Sequence, residues 1–222
     1  AAALLLAAGL AGCATGPDAN PRDPLEPFNR GVSQFNDAVD GAVLKPVATV
    51  YRDATPDLIR TGVSNFFGNL RDVWSFVNAT LQLKPQAAAE NGLRVGVNTV
   101  LGFGGVFDIA SEMGIDRTSL DFGQTLGRWG VPSGPYLVLP FMGPSSVRDA
   151  GAKIPDSYLG MYPYIDHVPT RNVTRGVNVV DTRASLLDAE KMVSGDKYIF
   201  VRNAYLQNRE FKVRDGEVED DF

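Results

Sequence analysis

The sequence predicts a mainly α-helical, single-domain protein made of amphipathic helices and irregular segments rich in glycine and proline. Over long stretches of the chain, apolar residues recur at steps of three and four, which is the spacing of one helix face. Glycine and proline concentrate between these stretches, where they disfavour regular structure. The chain has 222 residues, of which 44% are hydrophobic, so it is long enough to bury a core.

The helices can be placed from these stripes and from their capping residues. The first spans residues 28–51, and we expect Pro46 to kink or split it. A second helix is predicted with Thr55 as its N-cap and Pro56 as its first residue, ending at the break formed by Lys84 and Pro85. Three further helices are predicted over residues 85–100, 172–192 and 196–211.

Three other segments are predicted to be irregular. The stretch "VLGFGGVFDIA", residues 100–110, is too rich in glycine for a good helix and too short to span a bilayer, and a polar loop is expected at 111–121. Residues 129–147 carry no charge, but four prolines and three glycines exclude a regular span, so we expect buried irregular chain with a short strand at "YLVLP". Residues 154–169 are rich in tyrosine and proline and are also predicted to be irregular.

The N-terminus is typical of a lipoprotein signal. The run "AAALLLAAGLAGC" resembles the apolar region of a secretory signal, and its last four residues resemble a bacterial lipobox. We expect residues 1–12 to be part of a signal peptide, Cys13 to carry a lipid anchor, and residues 13–22 to form a flexible tether. The alternative is a membrane helix or a buried helix with a chance cysteine, but about a dozen apolar residues are too few to cross a bilayer. The remaining domain prediction is a helical unit over 23–212 and an acidic tail over 213–222.

Few residues suit catalysis, metal binding or cofactor binding. The net charge of −5 argues against a nucleic-acid binder. His167 is the single histidine, the sequence has no G-x-S-x-G elbow, and patterns for Walker, dinucleotide and calcium loops are absent. We therefore predict no catalytic residue, no metal site and no cofactor, and interpret His167 as a partly exposed or hydrogen-bonded histidine. The carboxylates Asp37 and Asp40, one helical turn apart, are interpreted as a solvated helix face. For the segments rich in glycine and proline, residues 100–107 and 129–147, which carry no charge, two interpretations remain open: close helix packing and contact with lipid.

Several stretches resemble the MlaA (VacJ) lipoprotein family of the bacterial outer membrane. They cover residues 23–30 ("DPLEPFNR"), 44–70, 98–110 ("NTVLGFGGVFDIA"), 122–149, 182–188 ("TRASLLD") and 198–211. Together they span most of the chain, although Pro27 stands where the family often has a small residue. The residues that match the family motifs are Asp23, Pro24, Glu26, Phe28, Asn29, Arg30, Asn65, Phe66, Asn69, Gly123, Gly127, Gly130, Pro135 and Pro140.

The resemblance implies a ring-like bundle of amphipathic helices in the outer membrane, lipid-anchored and exposed to the periplasm. It implies a passive channel that takes phospholipids from the outer leaflet and passes them to the periplasmic carrier MlaC, with a trimeric porin as membrane partner and no covalent chemistry. The alternatives are a structural porin-associated lipoprotein and a phospholipid-metabolising enzyme.

Under this resemblance, residues 102–107 are predicted to form the wall of the lipid channel, and loop 111–121 is a hypothetical gate hinged on the glycines. These candidate wall residues are Gly102, Phe103, Gly104, Gly105, Val106 and Phe107.

Overall fold

The computed structural model describes residues 20–160 and 162–216. The predicted signal peptide, the anchor Cys13 and residues 217–222 of the acidic tail lie outside the described residues. Within the described part the fold is mainly helical, as predicted, with one two-stranded sheet. Its principal elements are α1 (Glu26–Val39), α2 (Lys45–Ala54), α3 (Asp57–Leu81), α4 (Pro85–Val100), α5 (Ile109–Glu112), α6 (Phe122–Arg128), β1 (Tyr136–Leu139), β2 (Gly143–Ser146), α7 (Val147–Leu159), α8 (Val168–Ser185) and α9 (Lys197–Val213).

The first predicted helix is divided, as Pro46 led us to expect. A π-helical turn, Asp40–Leu44, joins α1 to α2 directly before this proline. Proline has no N–H to donate to the preceding turn, and its ring crowds the carbonyl four residues earlier. The wider π turn is a known way for a helix to absorb such a disruption.

The start of α3 differs by one residue from the prediction. Pro56 is the N-cap, Asp57 is the first helical residue, and the cap has no side-chain hydrogen bond. Thr55 is extended, with φ −99° and ψ 126°, because the residue before a proline is sterically disfavoured in the helical region. The third predicted helix is confirmed, since α4 begins at Pro85 and ends at Val100.

The prediction of irregular chain over 154–169 is wrong in its first part. Helix α7 continues through Pro155 to Leu159 and is capped by Ser146, whose hydroxyl accepts a hydrogen bond from the backbone N–H of Asp149. Helix α8 starts before its predicted position because His167 caps it, and it ends at Ser185, ahead of a separate 3-10 turn, Ala189–Met192. The last predicted helix is confirmed by α9.

Within the charge-free segment 129–147, residues 136–146 form a half-buried hairpin rather than irregular chain. Its strands pair antiparallel, with Tyr136 opposite Ser146 and Leu139 opposite Gly143, so the predicted strand is confirmed. Tyr136 and Val138 are buried, whereas Phe141 at the tip is 74% exposed. The alternation follows from strand geometry, since successive side chains point to opposite faces of the sheet.

The interior of this protein is unusually polar and its surface unusually apolar. A small apolar core consists of Tyr136, Val138, Tyr198 and Leu206. The largest fully buried side chains are nevertheless mostly polar, and they include Arg94, Asn29, Asn78, Asn91 and Asn98. Many large apolar side chains are exposed instead, among them Leu83, Phe103 and Val100. In water-soluble proteins, charged side chains are mostly exposed and are almost never fully buried unless they are paired.

Candidate functional site

An apolar cleft of about 530 Å³ opens between α3, α8 and the stretch "VLGFGGVFDIA", residues 100–110, which we call the glycine segment. Among its described lining residues, Thr174 carries the single polar side chain. The volume lies in the range of known small-molecule pockets, about 300–1,000 Å³. The other residues that line the cleft are Leu58, Ile59, Gly62, Val63, Phe66, Phe67, Val106, Phe107, Val173 and Val177.

The α3 wall of the cleft follows from its sequence periodicity and from one glycine. The lining positions of α3 recur at steps of three and four, which places them along one face. A Cβ atom at Gly62 would lie 3.0 Å from Cγ1 of Val106, so glycine at this position allows the segment to approach α3 closely. The side chain of Asn65 donates a hydrogen bond to the carbonyl oxygen of Val106 over 3.1 Å. These contacts hold Val106 at the edge of the cleft.

The six predicted wall residues take three different places. Val106 and Phe107 line the cleft. Gly102 and Gly105 are buried behind it, and a Cβ atom at Gly105 would lie 2.7 Å from Cβ of Asn69. Gly104 and Phe103 are exposed and are not among the lining residues.

Buried ion pairs tie the chain that follows the glycine segment to α3 and α4. The guanidinium of Arg94 is fully buried and donates to Asp108 over 2.7 Å and 2.8 Å, to Asp72 over 3.2 Å and to the carbonyl oxygen of Ile115. Burial alone would raise the pKa of Asp108, but hydrogen bonds from Ser111, Asn98 and Arg94 outweigh it and lower this pKa strongly. A buried pair of this kind is costly to break because the remaining charge is left uncompensated.

The hypothetical gate, loop 111–121, makes specific contacts with α3. Arg117 donates to Asp72 over 3.1 Å and packs against Gly68, where a Cβ atom would lie 2.7 Å from its Nη1. The hydroxyl of Ser75 accepts a hydrogen bond from the backbone N–H of Leu120, which is buried. Movement of the loop would have to break these contacts.

The "DPLEPFNR" motif forms a buried polar junction between α1, the hairpin and α9. Asp23 is fully buried and accepts hydrogen bonds from Asn29 over 2.8 Å, from the hydroxyl of Tyr198 over 2.5 Å and from Arg202 over 2.9 Å. Asn29 also donates to the carbonyl oxygen of Tyr136 and accepts from the N–H of Val138. The motif therefore joins distant parts of the chain, and it lies outside the cleft lining.

Arg30 and Glu26 extend this junction to the surface. Arg30 pairs with Glu26 over 2.8 Å and with Asp196 over 2.9 Å, and its guanidinium lies 4.4 Å from the centre of the Tyr198 ring. Glu26 also accepts from Arg202 over 3.0 Å. Phe28 is 45% exposed.

Motif glycines of α6 make room for a second charge network. A Cβ atom at Gly123 would lie 2.5 Å from Oδ1 of Asp149, and one at Gly127 would lie 2.7 Å from Nη1 of Arg148. Arg209 of α9 bridges Asp121 and Asp149 across this gap. Burial by itself would raise the pKa of Asp149, but the hydrogen bonds from Arg209 and Tyr205 outweigh this effect and lower the pKa to about 2.

Three further motif residues, Gly130, Pro135 and Pro140, lie in turns or beside strand ends, and Asn69 lies within α3. Gly130 has a positive φ of 89°. Pro135 accepts a hydrogen bond from the N–H of Val147, and Pro140 is exposed beside the hairpin tip. Asn69 donates to Thr99 over 3.1 Å.

A second cavity, of about 450 Å³, lies between α1, the hairpin tip and α8, and we call it the amphipathic pocket. The prediction of a solvated face for Asp37 and Asp40 missed it. Asp40 accepts two hydrogen bonds of 2.8 Å from Arg183, and Asp37 accepts one from Lys197. The sequence signal was present in "TRASLLD", but only folding brings Arg183 of α8 to Asp40. The lining residues are Asn36, Asp37, Val39, Asp40, Leu44, Phe141, Met142, Gly143, Asn178, Val179, Thr182, Arg183 and Leu186.

His167 is the N-cap residue of α8. Its Nδ1 lies 2.8 Å from the hydroxyl of Thr170 and accepts from the backbone N–H of the same residue, which caps α8. In the part of the chain that the structure describes, no group of three or more His, Cys, Asp and Glu residues could hold a metal ion. Across that same part, no helix combines the length and hydropathy that a membrane span requires.

Comparison with known proteins identifies the family. The family model described as "MlaA lipoprotein" matches residues 21–212. The chain is 40% identical to "Intermembrane phospholipid transport system lipoprotein MlaA" of Escherichia coli (strain K12), covering 94% of this chain and 86% of the relative. It is 38% identical to the protein of the same name from Haemophilus influenzae, covering 97% and 90%.

A solved structure is also similar. It is reported as "Structural basis for maintenance of bacterial outer membrane lipid asymmetry", with a TM-score of 0.75, 38% identity, and coverage of 86% of this chain and 98% of that one. With a family model that matches nearly all described residues and relatives of this identity, the chain belongs to the MlaA lipoprotein family.

Proposed function

We propose that this protein is an outer-membrane lipoprotein that conducts phospholipids passively, taking them from the outer leaflet and passing them to a periplasmic carrier. The names of its relatives support transport of phospholipids between membranes. The observation that carries the proposal is the apolar cleft, whose walls come from α3, the glycine segment and α8. A cleft lined almost wholly by carbon can shelter acyl chains from water, which removes the main cost of moving a lipid.

The distribution of polar residues supports a position within lipid. A protein in hydrocarbon must satisfy its polar groups internally, because an unpaired polar or charged group there is expensive. Arg94, Asp72 and Asp108 are paired in this way, while exposed apolar residues such as Leu83 and Phe103 can contact acyl chains. We propose that a lipid on Cys13 provides the anchor, with a trimeric porin and MlaC as partners.

Transport without covalent chemistry distinguishes this proposal from a lipid-metabolising enzyme. His167 caps α8 and is committed to Thr170. Purified protein incubated with phospholipid should therefore release no fatty acid. Release that depends on His167 would overturn this part of the proposal.

The cleft can be tested by filling it. Gly62→Leu places a branched side chain against Val106, where even a Cβ atom would lie 3.0 Å from Cγ1. The matched control is Gly96→Leu, at an exposed helical position with nothing within 4 Å of the added Cβ atom. Both variants would be expressed in cells lacking their own homologue. Outer-leaflet phosphatidylethanolamine would then be measured with an amine reagent that does not cross the membrane.

We expect the unaltered chain and Gly96→Leu to keep surface phosphatidylethanolamine low, and Gly62→Leu to raise it to the level of cells without the protein. Protein amounts would be compared by immunoblot. Normal clearance by a normally expressed Gly62→Leu variant would contradict passage through the cleft. If neither the unaltered chain nor the control cleared lipid, a bracing role beside a porin would be favoured.

A further inference from the structure

The amphipathic pocket combines an apolar wall with charged and polar groups, which sets it apart from the apolar cleft. It lies against residues 178–183 of α8 and against Leu186 just beyond that helix, whereas the cleft lies against residues 173–177 of α8. On a helical projection these two sets of residues point to different sides of α8. The two cavities are therefore separate sites that can be perturbed independently.

One wall of the pocket is uncovered apolar surface. Phe141 and Met142 at the hairpin tip are 74% and 65% exposed, and Leu186, directly after α8, is 51% exposed. Val39 and Leu44 continue this wall on the side of α1. Apolar surface beside a charged site is the arrangement that an amphipathic ligand requires.

The basic group of the pocket is held with one edge available for a ligand. The side chain of Arg183 is 12% exposed. Its Nε and Nη2 groups donate to Asp40, and Nη2 also donates to Glu190 over 2.6 Å. These bonds fix the plane of the guanidinium, and among the described residues no acceptor bonds to Nη1, so its two N–H groups remain for a further acceptor. A fixed guanidinium edge suits the oxygens of a phosphate.

The acceptors of the pocket suit a group with several N–H donors. Asn178 donates to the hydroxyl of Tyr162 over 2.7 Å, but its buried Oδ1 has no hydrogen-bond partner among the described residues. Asp37 accepts from Lys197 through one oxygen, Oδ1. A buried acceptor without a partner is unfavourable, because it has lost its hydrogen bonds to water, so a donor from a ligand would relieve it. A primary ammonium brings three donors and a positive charge.

We propose that the amphipathic pocket binds the head group of a phospholipid carrying a primary ammonium, with the phosphate at Arg183 and the ammonium at Asp37 and Asn178. The inference rests on the proposed function, since it names the lipid class that this protein handles. A phosphoglycerol head is anionic and would leave the carboxylate of Asp37 without a new cation. A quaternary ammonium has no N–H to donate to Asn178.

Lipid competition measured by native mass spectrometry tests the proposal. Purified full-length protein in non-ionic detergent would be mixed with equal amounts of phosphatidylethanolamine and phosphatidylglycerol of identical acyl chains. An exposed ion pair is typically worth up to about 1 kcal/mol, which corresponds to roughly fivefold in affinity, and Asp37 is 47% exposed. We therefore expect phosphatidylethanolamine to be bound in about three- to fivefold preference.

Two variants and one control locate the preference in the pocket. Asp37→Asn should bring the ratio of the two lipids to about one. The control, Asp53→Asn, removes an exposed carboxylate of α2 that pairs with Arg52 outside the pocket, and should leave the ratio unchanged. Arg183→Lys keeps the positive charge but not the guanidinium edge, so it should lower binding of both lipids. Circular dichroism would verify folding, and Asp37→Asn decides the question if Arg183→Lys does not fold.

The outcomes separate this inference from the proposed function. Binding of both lipids in equal amounts, or a ratio that Asp37→Asn leaves unchanged, would overturn the head-group site while leaving lipid conduction intact. No bound phospholipid in the unaltered protein would count against both. Soluble phosphoethanolamine should displace little lipid at equal concentration, and complete displacement would identify a site for a soluble molecule instead.

Discussion

Replacing Gly105 by alanine should destabilise the protein far more than the same change at Gly104. Both glycines have positive φ, 93° at Gly105 and 72° at Gly104. Alanine in the left-handed region costs about 1–2 kcal/mol. At Gly104 the added Cβ atom meets nothing within 4 Å, whereas at Gly105 it would lie 2.7 Å from Cβ and Nδ2 of Asn69.

The clash at Gly105 adds a second penalty. Asn69 would have to move, which strains its hydrogen bond of 3.1 Å to Thr99. Overpacking of a close contact typically costs about 1–3 kcal/mol. The expected loss in the free energy of unfolding is therefore about 1–2 kcal/mol for Gly104→Ala and about 2–5 kcal/mol for Gly105→Ala.

Guanidinium unfolding of the full chain in detergent, followed by far-ultraviolet circular dichroism, measures this difference. The unfolding midpoint of Gly105→Ala should fall clearly below that of Gly104→Ala, with a similar slope. Equal midpoints would refute the argument that close packing against α3 requires glycine at 105. A Gly104→Ala protein that is stable but no longer clears surface lipid would instead favour a hinge role for this segment.

Three further predictions concern other parts of the molecule. Asn29→Ala should lower the free energy of unfolding, measured by thermal melting, by about 2–4 kcal/mol, because Asp23 and two backbone groups of the hairpin lose their buried partner. Asn36→Ala loses hydrogen bonds at the exposed hairpin tip and should lower it less. Because the pKa of Asp149 is lowered to about 2, its contribution to stability is present above about pH 4 and is lost as pH falls from about 4 towards 2. Asp149→Asn should therefore flatten the dependence of stability on pH in that window, and an unchanged dependence would contradict this prediction. His167→Ala should remove the α8 cap at a cost of about 1 kcal/mol by thermal melting, without changing lipid clearance.

Helix positions that depend on nearby residues were predictable from the sequence. Pro46 interrupts the first helix, Pro85 starts α4, and the stripe of α3 correctly indicated one apolar face. Such features follow from steric limits and periodicity within a few residues. Helix α7 was missed because its cap, Ser146, and its buried anchor, Asp149, gain their importance from contacts with the hairpin and α9.

The candidate site was only partly predictable for the same reason. Of the glycine segment, Val106 and Phe107 line the cleft, while Gly105 serves a close contact with Asn69. The contribution of α8 to both cavities was not visible in its sequence, because its apolar and polar residues are ordinary for an amphipathic helix. The charge-free composition predicted burial of the whole hairpin segment, whereas only one face of its first strand packs against α9 and the tip is exposed.

The helical class, the breaks at prolines and glycines, and the family motifs can be assigned without the fold, because each of them is contained in a short stretch of residues. The packing of the helices sets which residues face the cleft and which support it. It also decided that the charged residues of "DPLEPFNR" form an internal junction and that Asp40 meets Arg183, 143 positions away. Burial and ion pairing depend on neighbours that are distant in the chain, so their energies are set only when the helices pack together.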